Sequence, residues 1–165
     1  MENYIVINGK KAELTPEQLK VLGIVTEKKS LFGRIKYDKI YYYIDDEGNV
    51  DCDYEGNLHP DDKRFKIGNY CTDEDIMQQR AYHEILNRLL WRYSMEHDGD
   101  KIDWNNHNAD KYRIRYHHDM KKFVAESNQY IQSFSAVYFH TKEAAKNAIK
   151  EIVEPFMEAH PDFTF

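Results

Sequence analysis

Eight carboxylates lie between Asp45 and Asp62: Asp45, Asp46, Glu47, Asp51, Asp53, Glu55, Asp61 and Asp62, with no Lys or Arg among them. The whole chain carries a net charge of −6, so everything outside this stretch sums to +2. On the solvated edge of a sheet, such charge discourages strand-to-strand aggregation. On a protruding ribbon it complements a basic partner, such as the nucleic-acid channel of another protein. Carboxylates spaced along a strand would stand in for phosphates there, and long-range attraction would speed the encounter. Asp51, Asp53 and Glu55 alternate, so on a regular strand they share one face. Three carboxylates on a face could hold Mg²⁺ or Ca²⁺. The loop Asp45-Asp46-Glu47-Gly48-Asn49 lacks the spaced ligands and terminal Glu of an EF-hand, however, and reads as a turn.

A basic counterpart runs through Lys111, Arg113, Arg115, His117, His118, Lys121 and Lys122. On a strand, Arg113 and Arg115 face one way and Tyr112, Ile114 and Tyr116 the other. With the Tyr-Ile-Tyr face on the core, the arginines point outward. Arg113, Arg115, Lys121 and Lys122 are then a candidate surface for nucleic acid or a signalling nucleotide, with tyrosines available for base stacking. The charge of −6 argues against non-specific nucleic-acid binding, which draws on counterion release.

Metal and catalytic patterns are missing. His117 and His118 are adjacent and diverge on a strand, Cys52 and Cys71 form no CxxC, and there is no HExxH. A set such as His107, His117 and Cys71 would have to be assembled across the fold. No GxSxG, GxGxxG or phosphate-cradling Gly-rich loop is present. The expectation is a non-enzymatic chain with no cofactor and no metal. Trp104, in a polar stretch, is either pinned over the core edge or a contact hot spot.

The elements that must position these residues form an α+β pattern. Asn8-Gly9 between β-branched residues predicts an N-terminal hairpin over 4–14. Thr15-Pro16-Glu17-Gln18 is a capped helix start, with Leu19 and Leu22 on its apolar edge and Gly23 at its end. Residues 25–36 read as a connector, so 1–36 form a small N-terminal segment. The rest, 37–165, reads as one α+β domain of two consecutive βββα units, 37–99 and 110–160. Antiparallel meander sheets would pack there on two long helices. The first unit has strands at 39–44, 50–54 and 63–70, then a helix opening at Thr72-Asp73-Glu74. The second has strands at 111–116, 123–126 and 135–140, then a helix opening at Thr141-Lys142-Glu143. Ile76, Tyr82, Ile85, Leu86, Leu89, Leu90 and Tyr93 form the buried stripe of the first long helix. Ala144, Ala145, Ala148, Ile149, Ile152, Val153, Phe156 and Met157 form that of the second, with Pro155 bending its last turn.

Composition sets the outer bounds. The chain has 165 residues, 41% hydrophobic and 14% aromatic, which is too apolar for a disordered chain and suited to one domain. Apolar runs are too short to span a bilayer, and no basic segment leads into an apolar stretch at the N-terminus. Two lone cysteines fit a reducing compartment. The expectation is a soluble, cytoplasmic protein.

Tyr41-Tyr42-Tyr43-Ile44-Asp45 with Gly48, then Arg64-Phe65-Lys66-Ile67-Gly68-Asn69-Tyr70 before Thr72-Asp73-Glu74, resembles a group of small accessory proteins. These occur in phages, prophages and integrative elements of Gram-positive bacteria. Asp103-Trp104-Asn105, Lys111-Tyr112-Arg113-Ile114 and the stretch from Val137 to Ala144 extend the likeness over about residues 37 to 157. The opening from Ile5 to Leu19 is similar to the leader of many such proteins. The resemblance implies an accessory role in a bacterial host cell, of a kind that includes anti-CRISPR and other anti-defence proteins. It supplies no catalytic residues. The expected partner is a host defence protein or CRISPR effector nuclease, met through the Asp45 to Asp62 carboxylates.

Overall fold

The computed structural model describes residues 4–7, 10–22 and 30–164. The chain divides into two compact units, Met1–Arg34 and Ile35–Phe165.

In the first unit, β1 (Tyr4–Ile7) and β2 (Lys10–Glu13) pair antiparallel, as the Asn-Gly punctuation requires. Asn8 and Gly9 themselves lie outside the described residues, as do Gly23 and residues 25–29 of the connector. A reciprocal capping box opens α1 (Pro16–Val21). The Thr15 N–H donates to Gln18 Oε1 (2.8 Å), and the Gln18 N–H donates to Thr15 Oγ1 (3.3 Å).

The second unit begins with β3 (Ile40–Ile44) and β4 (Val50–Tyr54), an antiparallel hairpin with Tyr42 opposite Cys52. Beyond it the structure departs from the strand pattern. The stretch expected as a third strand, 63–70, is instead largely α2 (His59–Lys66), followed by a turn at Gly68. Pro60 near the helix start, Asp61 and Asp62 in the first turn and Lys63, Arg64 and Lys66 in the last all favour the helix. The apparent alternation in Arg64-Phe65-Lys66-Ile67 is too short to oppose them. The missing strand is replaced by two contacts on the outer edge of β3. Asn69 brackets Ile44 through Oδ1 and Nδ2 (2.8 and 2.7 Å), and Cys71 forms a single bridge with Tyr42.

The long helix α3 (Glu74–Glu96) is capped by Asp73, whose Oδ1 accepts the Ile76 N–H, one residue beyond the Thr72 cap expected. Its first half packs Met77 and Ala81 on Ile44, Cys71, Tyr42 and Val50. Its second half turns Leu90 and Tyr93 to a separate core built on the sheet β6-β5-β7. That sheet comprises β5 (Lys111–His117), β6 (Lys122–Asn128) and β7 (Tyr138–Phe139). A short 3-10 turn, Gly99–Lys101, follows α3. Gly99 is required there, since a Cβ would lie 2.3 Å from Ser94 Oγ and 2.6 Å from the Ser94 carbonyl.

The second helical run is not one long helix. It consists of α4 (Lys142–Ala148), a π-turn over Ile149–Val153, and α5 (Glu154–Ala159). Pro155, in the first turn of α5, has no N–H to donate back into the preceding turn, and the wider π-turn absorbs the mismatch. Thr141 caps α4 as expected, its Oγ1 accepting the Ala144 N–H (3.1 Å). Ala144, Ala145, Ala148, Ile149, Val153 and Phe156 are buried. The architecture is therefore α+β with small antiparallel sheets: a ββαα arrangement, then a βββα arrangement with an interrupted last helix. The two halves of 37–165 are not copies of one plan. Among the described residues no helix is long and apolar enough to cross a membrane.

Candidate functional site

The hairpin β3–β4 is covered in part on both faces, with Ile40, Cys52 and Tyr54 left exposed. Ile44, Tyr42 and Val50 meet α3 on one side. On the other, α2 lays Asp61 and Arg64 against Tyr41 and Tyr43. Asp51, Asp53 and Glu55 do alternate on this second face, as their spacing implies, but the face is not free.

Asp61 is 2% exposed. Its Oδ2 accepts the N–H groups of Gly56 (3.0 Å) and Leu58 (2.9 Å), and its Oδ1 accepts the Tyr41 hydroxyl (2.8 Å). Burial alone would raise its pKa. The hydrogen bonds from Leu58, Tyr41 and Gly56, with the charge of Arg64, outweigh that and hold it below the usual carboxylate range. Arg64 Nη1 donates to the Tyr41 hydroxyl (2.6 Å) and to Asp53 Oδ2 (2.8 Å), and its guanidinium sits 3.4 Å from the centre of the Tyr43 ring. Burial, reinforced by Asp61 and opposed by Arg64, pushes the Tyr41 phenol up to about 12. Tyr41 stacks on Tyr70 with ring centres 4.1 Å apart, and the Tyr70 hydroxyl donates to Glu55 Oε2 (2.9 Å). Glu55 is fully buried, and its Oε1 accepts the Asn57 N–H (2.8 Å). Burial and the bond to Glu55 raise the Tyr70 phenol still further.

The eight carboxylates thus divide. Glu55 and Asp61 are internal structural groups, a correction to their assignment as partner-binding residues: a buried carboxylate cannot meet a partner. Asp53 is engaged by Arg64. Asp62 is half-buried. Asp45 accepts the N–H groups of Glu47 (2.9 Å) and Asn49 (2.8 Å), fixing the turn. Asp46, Glu47 and Asp51 are exposed. Asp51 accepts from the Cys52 N–H (2.7 Å) and the Tyr43 hydroxyl (3.0 Å), which together hold its carboxyl below the usual range.

The bonds to Cys52 and Tyr54 have a further use. Tyr42 turns both main-chain groups toward Cys71, away from β4. Its partner Cys52, and Tyr54 two residues on, therefore point their N–H groups out at the free edge of β4. Asp51 Oδ1 takes the first (2.7 Å) and Asp53 Oδ1 the second (2.8 Å). The alternating aspartates close the edge that an incoming strand would use.

On the second sheet, Tyr112 and Ile114 pack inward and Arg113 and Arg115 face out, as the strand periodicity implies. Both arginines are engaged. Glu126 Oε2 accepts from Arg113 Nε (3.1 Å) and Nη2 (2.9 Å), and Glu126 Oε1 accepts from Arg115 Nη1 (3.0 Å). Arg113 also donates to Ser133 Oγ. The bonds from Arg113 and then Arg115 hold the Glu126 carboxyl below its usual range despite burial. Lys121 and Lys122 are exposed at the β5–β6 turn. Trp104 is pinned, edge-on to Tyr138 with ring centres 4.8 Å apart. Beside it, Lys111 is 2% exposed, its Nζ donating to the carbonyls of Asn106 (2.5 Å) and Gln129 (3.4 Å). His107, His117 and Cys71 do not converge: among the described residues no group of three His, Cys, Asp or Glu is placed to hold a metal.

Two features escape the sequence patterns. Arg64 is the cation that answers the acidic strand, and the Pro60-Asp61-Asp62 helix start is the signal that would place it. Trp91 is 59% exposed on α3, beside Arg88 and Arg92. Its place alongside an i+4 ridge of charged residues, Arg80, Glu84, Arg88, Arg92 and Glu96, is the available clue.

Comparisons of the chain with protein-family models, with curated proteins and with solved structures give no match.

Proposed function

We propose that this is a non-enzymatic, phage-type interaction protein that inhibits a bacterial defence nuclease, in the manner of an anti-CRISPR. The contact is made by the tip of the β3–β4 hairpin: Asp45, Asp46, Glu47 and Asp51. The observation that supports this reading is the preorganised tip. Asp45 spends its side chain on two turn N–H groups, and Gly48, at φ 95°, adopts the left-handed conformation that closes the turn. The backbone that carries exposed Asp46 and Glu47 is thereby ordered before binding, which lowers the ordering cost at that moment. Asp53, held by Arg64, supports the ribbon from behind. The nucleic-acid reading through Arg113, Arg115, Lys121 and Lys122 is the weaker one, because Glu126 already occupies both arginines.

The test is inhibition of DNA cleavage by purified CRISPR effector nucleases, comparing the wild type with the triple variant Asp46→Lys, Glu47→Lys, Asp51→Lys. The wild type should inhibit one of the panel, and the triple variant should lose that inhibition while remaining folded by circular dichroism. Equal inhibition by both would refute the contact surface, and no inhibition of any nuclease would refute the role.

A further inference from the structure

Residues 127–141 carry no Asp, Glu, Lys or Arg, in a chain of which 32% is charged. Most of this stretch connects β6 to β7, and it turns its large side chains outward. Phe134 is 100% exposed, Tyr130 71% and Ile131 65%. Exposed apolar residues scattered singly are ordinary, but three on one short connection make a contact patch. The backbone beneath them is braced. The Ser133 N–H donates to the Tyr138 hydroxyl (2.8 Å), and Arg113 donates to Ser133 Oγ. The Ala136 N–H closes a turn on the Ser133 carbonyl (3.4 Å). Inside that turn Ser135 stands at φ 61°, in the left-handed region, and its carbonyl accepts from Asn87 Nδ2 of α3 (3.4 Å). Phe134 is thus held away from the protein on a fixed turn.

Beside this knob is a hole. A depression of about 190 Å³ opens between α3 and the second sheet, lined by Leu86, Leu90, Ile114, Val137 and Phe139, with Asn87 and Ser135. An apolar cavity of about 150 Å³ takes a benzene molecule, so this one has room for a phenyl ring. We infer that Phe134 fills this hole in a second copy of the chain, whose own Phe134 fills the first. Size is one reason for that occupant, and charge is another. Among the described residues no Asp, Glu, Lys or Arg lines the hole, and none lies on the connection. Two like copies therefore meet there without like-charge repulsion. Position is the third reason. Phe134 adjoins Ser135, which itself lines the hole, so knob and hole share one patch. One two-fold axis through that patch makes both insertions at once and closes the assembly at a dimer; a knob and hole on distant surfaces would build a filament. The chain's own Phe134 leaves the hole open, because the bonds to Tyr138, Arg113 and Asn87 fix its turn outward. A contact limited to one connection and about two turns of α3 is of the small, reversible class.

The experiment is sedimentation velocity on the full chain from about 5 to about 500 µM, a range set by the micromolar affinity a small interface supports. The wild type should pass from monomer to dimer. Phe134→Ala removes two rings from each dimer and, at about tenfold or more per buried ring, should weaken association at least about a hundredfold. Asn87→Arg, at an exposed position, lays a long charged side chain over the hole and should weaken it tenfold or more. An equimolar mixture of the two variants is the decisive sample. The Phe134→Ala chain still offers an open hole and the Asn87→Arg chain still offers a ring, so one of the two contacts re-forms. The mixture should associate at least tenfold more tightly than either variant alone, which rings stacked on each other at the axis would not produce. Mixing changes nothing within either chain, so the gain cannot come from repaired folding. A wild type that stays monomeric overturns the inference, as does a dimer indifferent to Phe134→Ala or a mixture no tighter than its components. A monomeric wild type whose Tm falls on Phe134→Ala would put the ring in its own chain's hole and overturn it equally.

Discussion

Replacing Asp61 with Ala tests whether the acidic stretch is in part an internal brace. Three donors lose their acceptor: the Tyr41 hydroxyl and the N–H groups of Gly56 and Leu58. Tyr41 is fully buried, so leaving its hydroxyl proton unpaired costs about 1–3 kcal/mol. The N–H bonds of Gly56 and Leu58 are part-buried, and each loses about 0.5 kcal/mol, the low end of a net hydrogen bond. The expected sum is about 3 kcal/mol, or a fall in Tm of roughly 6–12 °C for a chain of this length. Asp61→Asn keeps one carbonyl acceptor and should fall between. Urea unfolding followed by circular dichroism reads the effect as a lower midpoint at unchanged slope. The pH dependence supplies a second check. The Asp61 pKa is lowered in the folded state. Its contribution is therefore complete above the unfolded carboxyl value, about 3.9, and lost as pH falls through the folded value. The gap between wild type and Asp61→Ala should be widest near neutrality and should close on acidification below about pH 4. A variant within about 0.5 kcal/mol of wild type, or a gap that does not change with pH, refutes the brace.

Two further outcomes follow from the second sheet. Lys111→Met keeps the buried stem but removes the ammonium that ties the Asn106 and Gln129 carbonyls together. Hydrogen exchange over 102–110 and 129–137 should accelerate, with a loss of about 1–2 kcal/mol in stability from unanswered carbonyls, and unchanged exchange in those loops would contradict the tie. Glu126→Gln weakens the hold on Arg113 and Arg115. Filter binding to a short DNA should then strengthen several-fold with a steeper salt slope, as phosphate contacts require, and an unaltered slope would exclude this face as a latent phosphate binder.

What can be read from the sequence is whatever a short stretch decides for itself. The Thr15-Pro16-Glu17-Gln18 start, the β3–β4 hairpin, the outward arginines of β5 and the Thr141 cap each depend on neighbours within a few residues, and each is legible. The α2 helix is not, because two local signals compete over 59–70. The Pro60 start and charge order favour helix, while the alternation of 64–67 favours strand, and Tyr41 settles the matter from twenty residues away by offering Asp61 a donor. The break in the last helix is hidden for a related reason. Its apolar stripe runs unbroken from Ala144 to Phe156, and the π-turn leaves no mark on it except Pro155.

The same contrast governs the candidate site. A one-dimensional charge map treats eight carboxylates as equivalent, but their surroundings differ. Asp61 stays charged inside the protein because three donors and Arg64 surround it. Asp51 and Asp53 reach the outward N–H groups of the strand edge. At the turn, Asp46 and Glu47 face water, Glu47 accepting one long bond from the Asn49 side chain (3.5 Å). Charge density along a chain therefore overstates charge density on a surface when the segment alternates. Every second side chain faces a neighbouring layer, and burying a carboxylate there requires that layer to supply donors. Here α2 supplies Arg64, and the buried half of the pattern specifies how α2 docks. The half left at the tip, Asp46 and Glu47, is the part that faces solvent.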